Sequence, residues 1–312
     1  MPDKIRIGTR GSELALWQTY HVKKLLEARF SDIVVDVEKI KTTGDKILDA
    51  PLAKIGDKGL FTKELEIALL DNRVDIAVHS FKDVPTLVPK GLTIAAVLER
   101  EDVRDVFIAN PKKSHQAFIG LPSNAIIATG SLRRKCQLLN VRPDIRIAEI
   151  RGNLNTRIEK LDSSEWDGMI LAKAGVTRLG WARRITDILA FEIMLPAVGQ
   201  GALAIECRSD DSRVQEMLYP LHHAPTAIAV TAERSLLRYL EGGCQIPIGA
   251  YGQITGNELC LDAVVGSLDG RQLVRGKKIG IISNAEQTGI DLAKELLRRG
   301  AKEILEEIRK TF

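Results

Sequence analysis

Ile7-Gly8-Thr9-Arg10-Gly11-Ser12, echoed later by Ala125-Ile126-Ile127-Ala128-Thr129-Gly130-Ser131, is the stretch on which the reading of this chain turns. Each copy is an apolar run that stops at a small-residue turn and a serine placed to cap a helix. Around the first copy, residues 4–8 predict a short buried strand, and Val22, Leu25, Leu26 and Phe30 continue a helical stripe behind Ser12. Residues 33–40 alternate as a second strand. Residues 92–98 read as another strand and 99–105 as a charged connector. Around the second copy the order returns, with a strand predicted over 145–150 after the helix. Residues 74–78 and 166–171 then each set an acidic residue before an apolar strand. The repeat is weak in identity and constant in order. It predicts two similar α/β lobes facing each other across a cleft, the kind of interface that ligands favour.

A chain of 312 residues exceeds the usual size of one core, so two or three domains are expected. The division expected is 1–99 with 200–219, then 100–199, then 220–312. The last part predicts antiparallel strands over 248–254, 259–267 and 272–279, with turns at Gly256-Asn257 and Asp269-Gly270 and helices near 287–299 and 302–309. The expected fold is therefore α/β, with two doubly wound lobes of the periplasmic-binding-protein type and a small α+β third domain.

Composition excludes several classes. Forty-five basic residues against 41 acidic ones give a net charge of only +4, too little for a generic nucleic-acid binder. Cys136, Cys207, Cys244 and Cys260 lack C-x-x-C spacing and the histidines lack H-E-x-x-H, so neither a disulfide framework nor a protein-bound metal is expected. Charges near the start leave no room for a signal peptide, and no apolar run is long enough to cross a bilayer. A cytoplasmic protein is expected. Without a long exposed apolar stripe, so is a monomer.

The candidate chemistry sits on the predicted turns. A strand running into a helix N-terminus is an anion site in waiting, and Arg10, Ser12 and Gln18 lie beside the first one; an ordinary βα turn with a surface arginine reads equally well. The strand at 74–78 leads to Ser80, Lys82 and Asp83 before Pro85. His79 and Ser80 are a poor nucleophile–base pair, because adjacent strand residues face opposite ways. Asp83 reads either as a carboxylate that handles a proton or as a cap of its own turn. Lys54 and Lys58 lie in a long irregular stretch that ends at Phe61. In the second lobe, Arg133, Arg134, Arg151, Arg157 and Arg178 each follow a strand end, which predicts one rim for a ligand with many negative groups. Gln200 lies in a glycine-bracketed passage over 194–208, read as a hinge. In Leu240-Glu241-Gly242-Gly243-Cys244-Gln245-Ile246-Pro247 the Cys244 thiol stands in a flexible loop, as an attachment point or as a small hydrophobe under a turn.

Taken together, IGTRGSELALWQ (7–18), KGLFTKELE (58–66), VHSFKDVP (78–85), GSLRRKCQL (130–138), RGNLNTRIEKLD (151–162), AVGQGALAIECR (197–208) and LEGGCQIPIGAY (240–251) resemble the porphobilinogen deaminase family nearly end to end. The resemblance implies that Cys244 carries a dipyrromethane cofactor through a thioether, and that Asp83 is the main catalytic carboxylate. By the same carry-over, Arg10, Ser12, Gln18, Lys54, Lys58, Ser80, Lys82, Thr129, Ser131, Arg133, Arg134, Arg151, Arg157, Arg178 and Gln200 line the cleft and hold carboxylates. The implied reaction couples four porphobilinogen molecules onto the primer with loss of ammonia, then releases a linear tetrapyrrole. A lid over 42–61 would bring Lys54 and Lys58 to the substrate. One departure is local, because the family commonly reads G-T-S-S-L-R-R where this chain has Gly130 between Thr129 and Ser131. A non-enzymatic rival, a two-lobed binder or sensor of a small anion, uses the same architecture but leaves Cys244 and Asp83 without jobs.

Overall fold

The computed structural model describes residues 4–46, 59–115, 117–242 and 246–311. In chain order its first part runs β1 (Lys4–Thr9), α1 (Glu13–Arg29), β2 (Val34–Lys39), α2 (Thr43–Lys46), α3 (Lys63–Leu70), β3 (Ile76–Ser80) and β4 (Leu92–Val97). There follow β5 (Asp105–Ala109), β6 (Ile126–Ala128), α4 (Leu132–Val141), β7 (Arg146–Ala148), α5 (Leu154–Ser163), β8 (Gly168–Ala172), α6 (Lys173–Arg178) and β9 (Asp187–Ile188). The chain ends with β10 (Leu203–Arg208), α7 (Ser212–Leu218), α8 (Ala224–Tyr239), β11 (Ile248–Thr255), β12 (Glu258–Gly266), β13 (Leu273–Ile281), α9 (Ala285–Leu296) and α10 (Lys302–Thr311). The described residues form two compact units.

The first unit takes in residues 4–46, 59–101 and 201–227. Its sheet has the order β2-β1-β3-β10-β4, parallel at β2-β1-β3 and antiparallel where β10 enters between β3 and β4. Ile5, Ile7, Ile76, Val78, Leu203 and Ile205 pack on Val22 and Leu26 of α1 on one face. On the other face Leu65, Ala68 and Leu69 of α3 cover Val74 and Ala77. Gly8 lets this layer close, since a Cβ there would meet Val74 at 3.1 Å and Leu65 at 3.3 Å.

The second unit takes in 102–200 and 228–311 apart from 116 and 243–245. One sheet has the order β7-β6-β8-β5-β9, again with a parallel trio joined to an antiparallel strand, here β5. The second sheet, β11-β12-β13, is antiparallel, with Leu259, Leu261 and Ala263 packed against Leu292, Leu296, Ile304 and Ile308 of the last two helices.

The internal repeat extends to single hydrogen bonds. Asp75 accepts the backbone N–H of Arg6 at 2.8 Å, and Asp167 accepts that of Ile126 at 2.7 Å. Each acid thus ties the strand it precedes to a parallel neighbour, β3 to β1 in the first unit and β8 to β6 in the second, satisfying a backbone donor that would otherwise be stranded. Arg6 and Arg208 hold the Asp75 carboxylate, as Lys113 and His115 hold Asp167. Burial raises both carboxyls, but these partners outweigh it and bring both below the ordinary range.

Two elements differ from the sequence reading. Residues 99–105 read as a charged connector, yet Asp105 opens β5, the antiparallel strand of its sheet. Part of the stretch read as irregular is α2, where the Thr43 N–H and hydroxyl both donate to Glu64, at 2.8 and 2.5 Å.

Candidate functional site

The turn after β3 presents the first group of candidates. Phe81–Asp83 is a single 3-10 turn, anchored by the Phe81 N–H on Ala202 O at 3.0 Å and closed by the Val84 N–H on Phe81 O. Burying Phe81 and Val84 pins both ends of the turn. Asp83 is left exposed, with no hydrogen bond or ion pair to any described residue, so it is not spent on capping its own backbone. Ser80 Oγ accepts from the buried Gln18 Nε2 at 2.8 Å, so helix α1 orients the hydroxyl next to the turn. Ser12 caps α1 through the Ala15 N–H at 3.3 Å. Arg10 stacks its guanidinium over Phe61, 4.2 Å from the ring centroid. Lys82 is half-buried on the same turn as Asp83. His79 faces away from Ser80 and pairs with buried Glu206 at 3.0 Å, as strand alternation predicts.

The arginines of the second unit are arranged differently from an exposed rim. Arg133 and Arg134 lie in the first turn of α4, where Ser131 caps the helix through the Arg134 N–H and Thr129 Oγ1 accepts the Ser131 N–H. Both guanidiniums are buried and share one carboxylate, that of Asp105. Arg133 Nη1 reaches Oδ2 at 2.7 Å, and Arg134 Nη2 reaches Oδ1 at 2.8 Å. Further donations go to Leu195 O and Ile170 O. Gln200, also buried, donates to Asp105 at 3.0 Å and to Val103 O at 2.6 Å. Two cations at a helix N-terminus oppose its dipole, and the first anion that answers them is internal.

The electrostatics of this trio follow from its count. Complete burial would raise the Asp105 carboxyl, but two guanidiniums override it and hold it at about 2. Arg134 moves down instead, because burial outweighs its half share of a single carboxylate. The trio keeps one net positive charge.

Arg151 follows β7, and its Nη1 and Nη2 are sealed from solvent without a hydrogen-bond partner among the described residues. A buried cationic donor without an acceptor is costly, so this is the atom pair most in need of an anion. Arg157 lies on α5, capped by Asn153, and its Nε donates to Gly152 O at 2.8 Å. Arg178 ends α6 and is buried. Gly130 approaches the backbone closely, since a Cβ there would lie 2.5 Å from Ile150 O. Cys244, Lys54 and Lys58 lie outside the described residues.

Asp105, which ties together Arg133, Arg134 and Gln200, is the residue of this cluster that sequence reasoning missed. Its signal was present, an acidic residue opening the apolar run Val106-Phe107-Ile108-Ala109. Cys136 and Cys207 are poor nucleophiles, because burial pushes the first up to about 12 and the second up to about 11. No cluster of three metal-ligating side chains occurs among the described residues, and none of their helices is long and apolar enough to cross a membrane.

Residues 5–216 match the family model described as porphobilinogen deaminase, dipyromethane cofactor binding domain, and residues 227–298 match porphobilinogen deaminase, C-terminal domain. Among solved structures, the methionine binding protein MetQ is similar at 12% identity and a TM-score of 0.44, over 71% of this chain and 90% of that one. The periplasmic aliphatic sulphonate binding protein SsuA from Escherichia coli matches at 13% identity and a TM-score of 0.38, over 77% of this chain and 71% of that one. The periplasmic VFT2 domain of BvgS from Bordetella pertussis matches at 12% and 0.39, over 69% and 84%.

Proposed function

Because the chain belongs to the porphobilinogen deaminase family, transferases of tetrapyrrole synthesis that deaminate and couple porphobilinogen on a dipyrromethane cofactor, we propose that Cys244 carries that cofactor and Asp83 is the catalytic carboxylate. The observation that carries the reading is the sealed, unpartnered guanidinium of Arg151. A dipyrromethane bears acetate and propionate groups, so the residues that hold it must be cations with N–H donors to spare. Arg151 has them, and the Arg133–Arg134–Asp105 trio adds an uncompensated positive charge. These residues fit a group rich in carboxylates. When bound, the cofactor supplies a tethered pyrrole whose free α-carbon starts the chain, which makes the couplings effectively intramolecular.

The remaining roles belong to the protein's own side chains. The Asp83 carboxylate accepts the pyrrole N–H of porphobilinogen and stabilises the positive charge that develops as ammonia leaves. The same carboxylate is placed to take up a proton from the reacting carbon. Arg10, Lys54, Lys58, Lys82, Arg157 and Arg178 neutralise substrate carboxylates. Ser12, Thr129 and Ser131 accept backbone N–H groups yet keep a hydroxyl hydrogen to donate. Gln18 holds Ser80 in place for the same purpose. A cytoplasmic monomer is the setting proposed, since a reducing compartment suits the free thiols Cys136, Cys207 and Cys260.

Asp83→Ala tests the assignment. The variant is expected to keep its covalent cofactor mass and lose turnover by at least about a hundredfold, within the range assigned to one preorganised electrostatic group. Near wild-type turnover would refute the role of Asp83. A wild-type chain that binds anions and turns nothing over would favour the sensor reading.

A further inference from the structure

Asp105 is a fully buried carboxylate with no place yet in the reaction. Its two oxygens receive donors from three side chains on two other segments. Oδ2 takes Arg133 Nη1 at 2.7 Å, while Oδ1 takes Arg134 Nη2 and Nε at 2.8 and 3.2 Å and Gln200 Nε2 at 3.0 Å. These are three of the residues proposed to meet carboxylates. We infer that Asp105 is the positioning residue of this anion-binding centre, fixing both guanidiniums and the Gln200 amide while leaving one positive charge for a substrate or cofactor carboxylate to neutralise. The inference rests on the porphobilinogen deaminase reading above.

The physical case has three parts. Two guanidiniums on consecutive residues repel each other and cannot shed their protons, so without a shared anion they would splay apart. Burying the excess charge is expensive until an anion arrives, which tilts the centre towards binding one. Asp105 has both oxygens engaged and no exposure, so it acts through its neighbours and touches no substrate. Burial would raise its carboxyl, yet the two guanidiniums keep it ionised far below neutral pH, so it holds them throughout the working range.

Positioning and simple field effects predict opposite signs. Deleting the negative charge makes the centre more positive, which by itself would tighten anion binding. Losing the geometry would weaken it.

The test compares wild type, Asp105→Asn and Asp105→Glu, each checked for native circular dichroism and assayed well below its melting temperature. The readouts are the porphobilinogen KM and kcat and, by intact mass, the fraction of chains carrying covalent cofactor. Asp105→Asn is expected to raise KM about tenfold or more, the equivalent of one lost charged hydrogen bond, and to lower the loaded fraction. Asp105→Glu keeps the charge and moves it by one methylene, so a similar rise is expected; it decides alone if the Asn chain does not fold. A lower melting temperature with unchanged KM and loading would overturn the inference as merely structural. A lower KM would overturn it in favour of the field. A wild-type chain that never gains mass from porphobilinogen would sink the deaminase reading itself, however the Asp105 variants behave.

Discussion

Replacing Arg151 with Met is expected to do two opposite things. The guanidinium has two nitrogens shut off from water with no acceptor among the described residues. An unsatisfied buried donor destabilises by about 1–3 kcal/mol, a penalty the chain bears until a carboxylate arrives. Methionine keeps the apolar stem and removes the donors. In a Cys244→Ser background, which is proposed to hold no cofactor, Arg151→Met should therefore stabilise the chain by about 1–3 kcal/mol. With Cys244 intact, the same change removes charged hydrogen bonds to the ligand of about 1.5–3 kcal/mol each. The porphobilinogen concentration for half-maximal covalent loading of the apo chain should then rise about a hundredfold. Urea titration at neutral pH reads the first effect and intact-mass titration the second. A Met variant that is less stable in the Cys244→Ser background and loads like wild type would refute the reasoning, because the guanidinium would then be a structural group.

Other outcomes follow from single contacts. Gly130→Ser restores the residue the family commonly has here, but the ideal Cβ lies 2.5 Å from Ile150 O, a backbone atom that cannot swing aside. It should lower stability by about 1–3 kcal/mol, read as a drop in the urea midpoint with cofactor mass unchanged; an unchanged midpoint would show that the 129–131 turn relaxes freely. Asp105 carries an acid signature. Its carboxyl is depressed from 3.8 to about 2, so its contribution of about 2 kcal/mol is fully present above about pH 4 and lost as pH falls through about 2. The stability gap between wild type and Asp105→Asn should close over that interval, and a gap constant from pH 5 to pH 2 would contradict the assignment.

What the sequence made legible was local or periodic. The strand–serine–helix repeat and the acids at Asp75 and Asp167 depend on spacing alone, and each reappears as a cap or a backbone hydrogen bond. The family motifs likewise survive as strings. Contacts between distant residues were not legible. Strand β5 was hidden because its first residue, Asp105, reads as the end of the charged connector over 99–105, and the short run behind it drew no assignment. The burial of Arg133 and Arg134 depends on that strand, whose carboxylate lies 28 and 29 residues upstream. An arginine at a strand end reads as a surface group until its partner is known, and here the partner belongs to the segment that was misread. The insertion of β10 between β3 and β4 is non-local in the same way.

The central claim is that a covalent pyrrole primer sits on Cys244. Its most direct test is the intact mass of the denatured wild-type chain beside Cys244→Ser, both after incubation with porphobilinogen. The account predicts an excess of two pyrrole units on wild type and a bare chain for the variant. Bare masses for both, or the same excess on both, would contradict it.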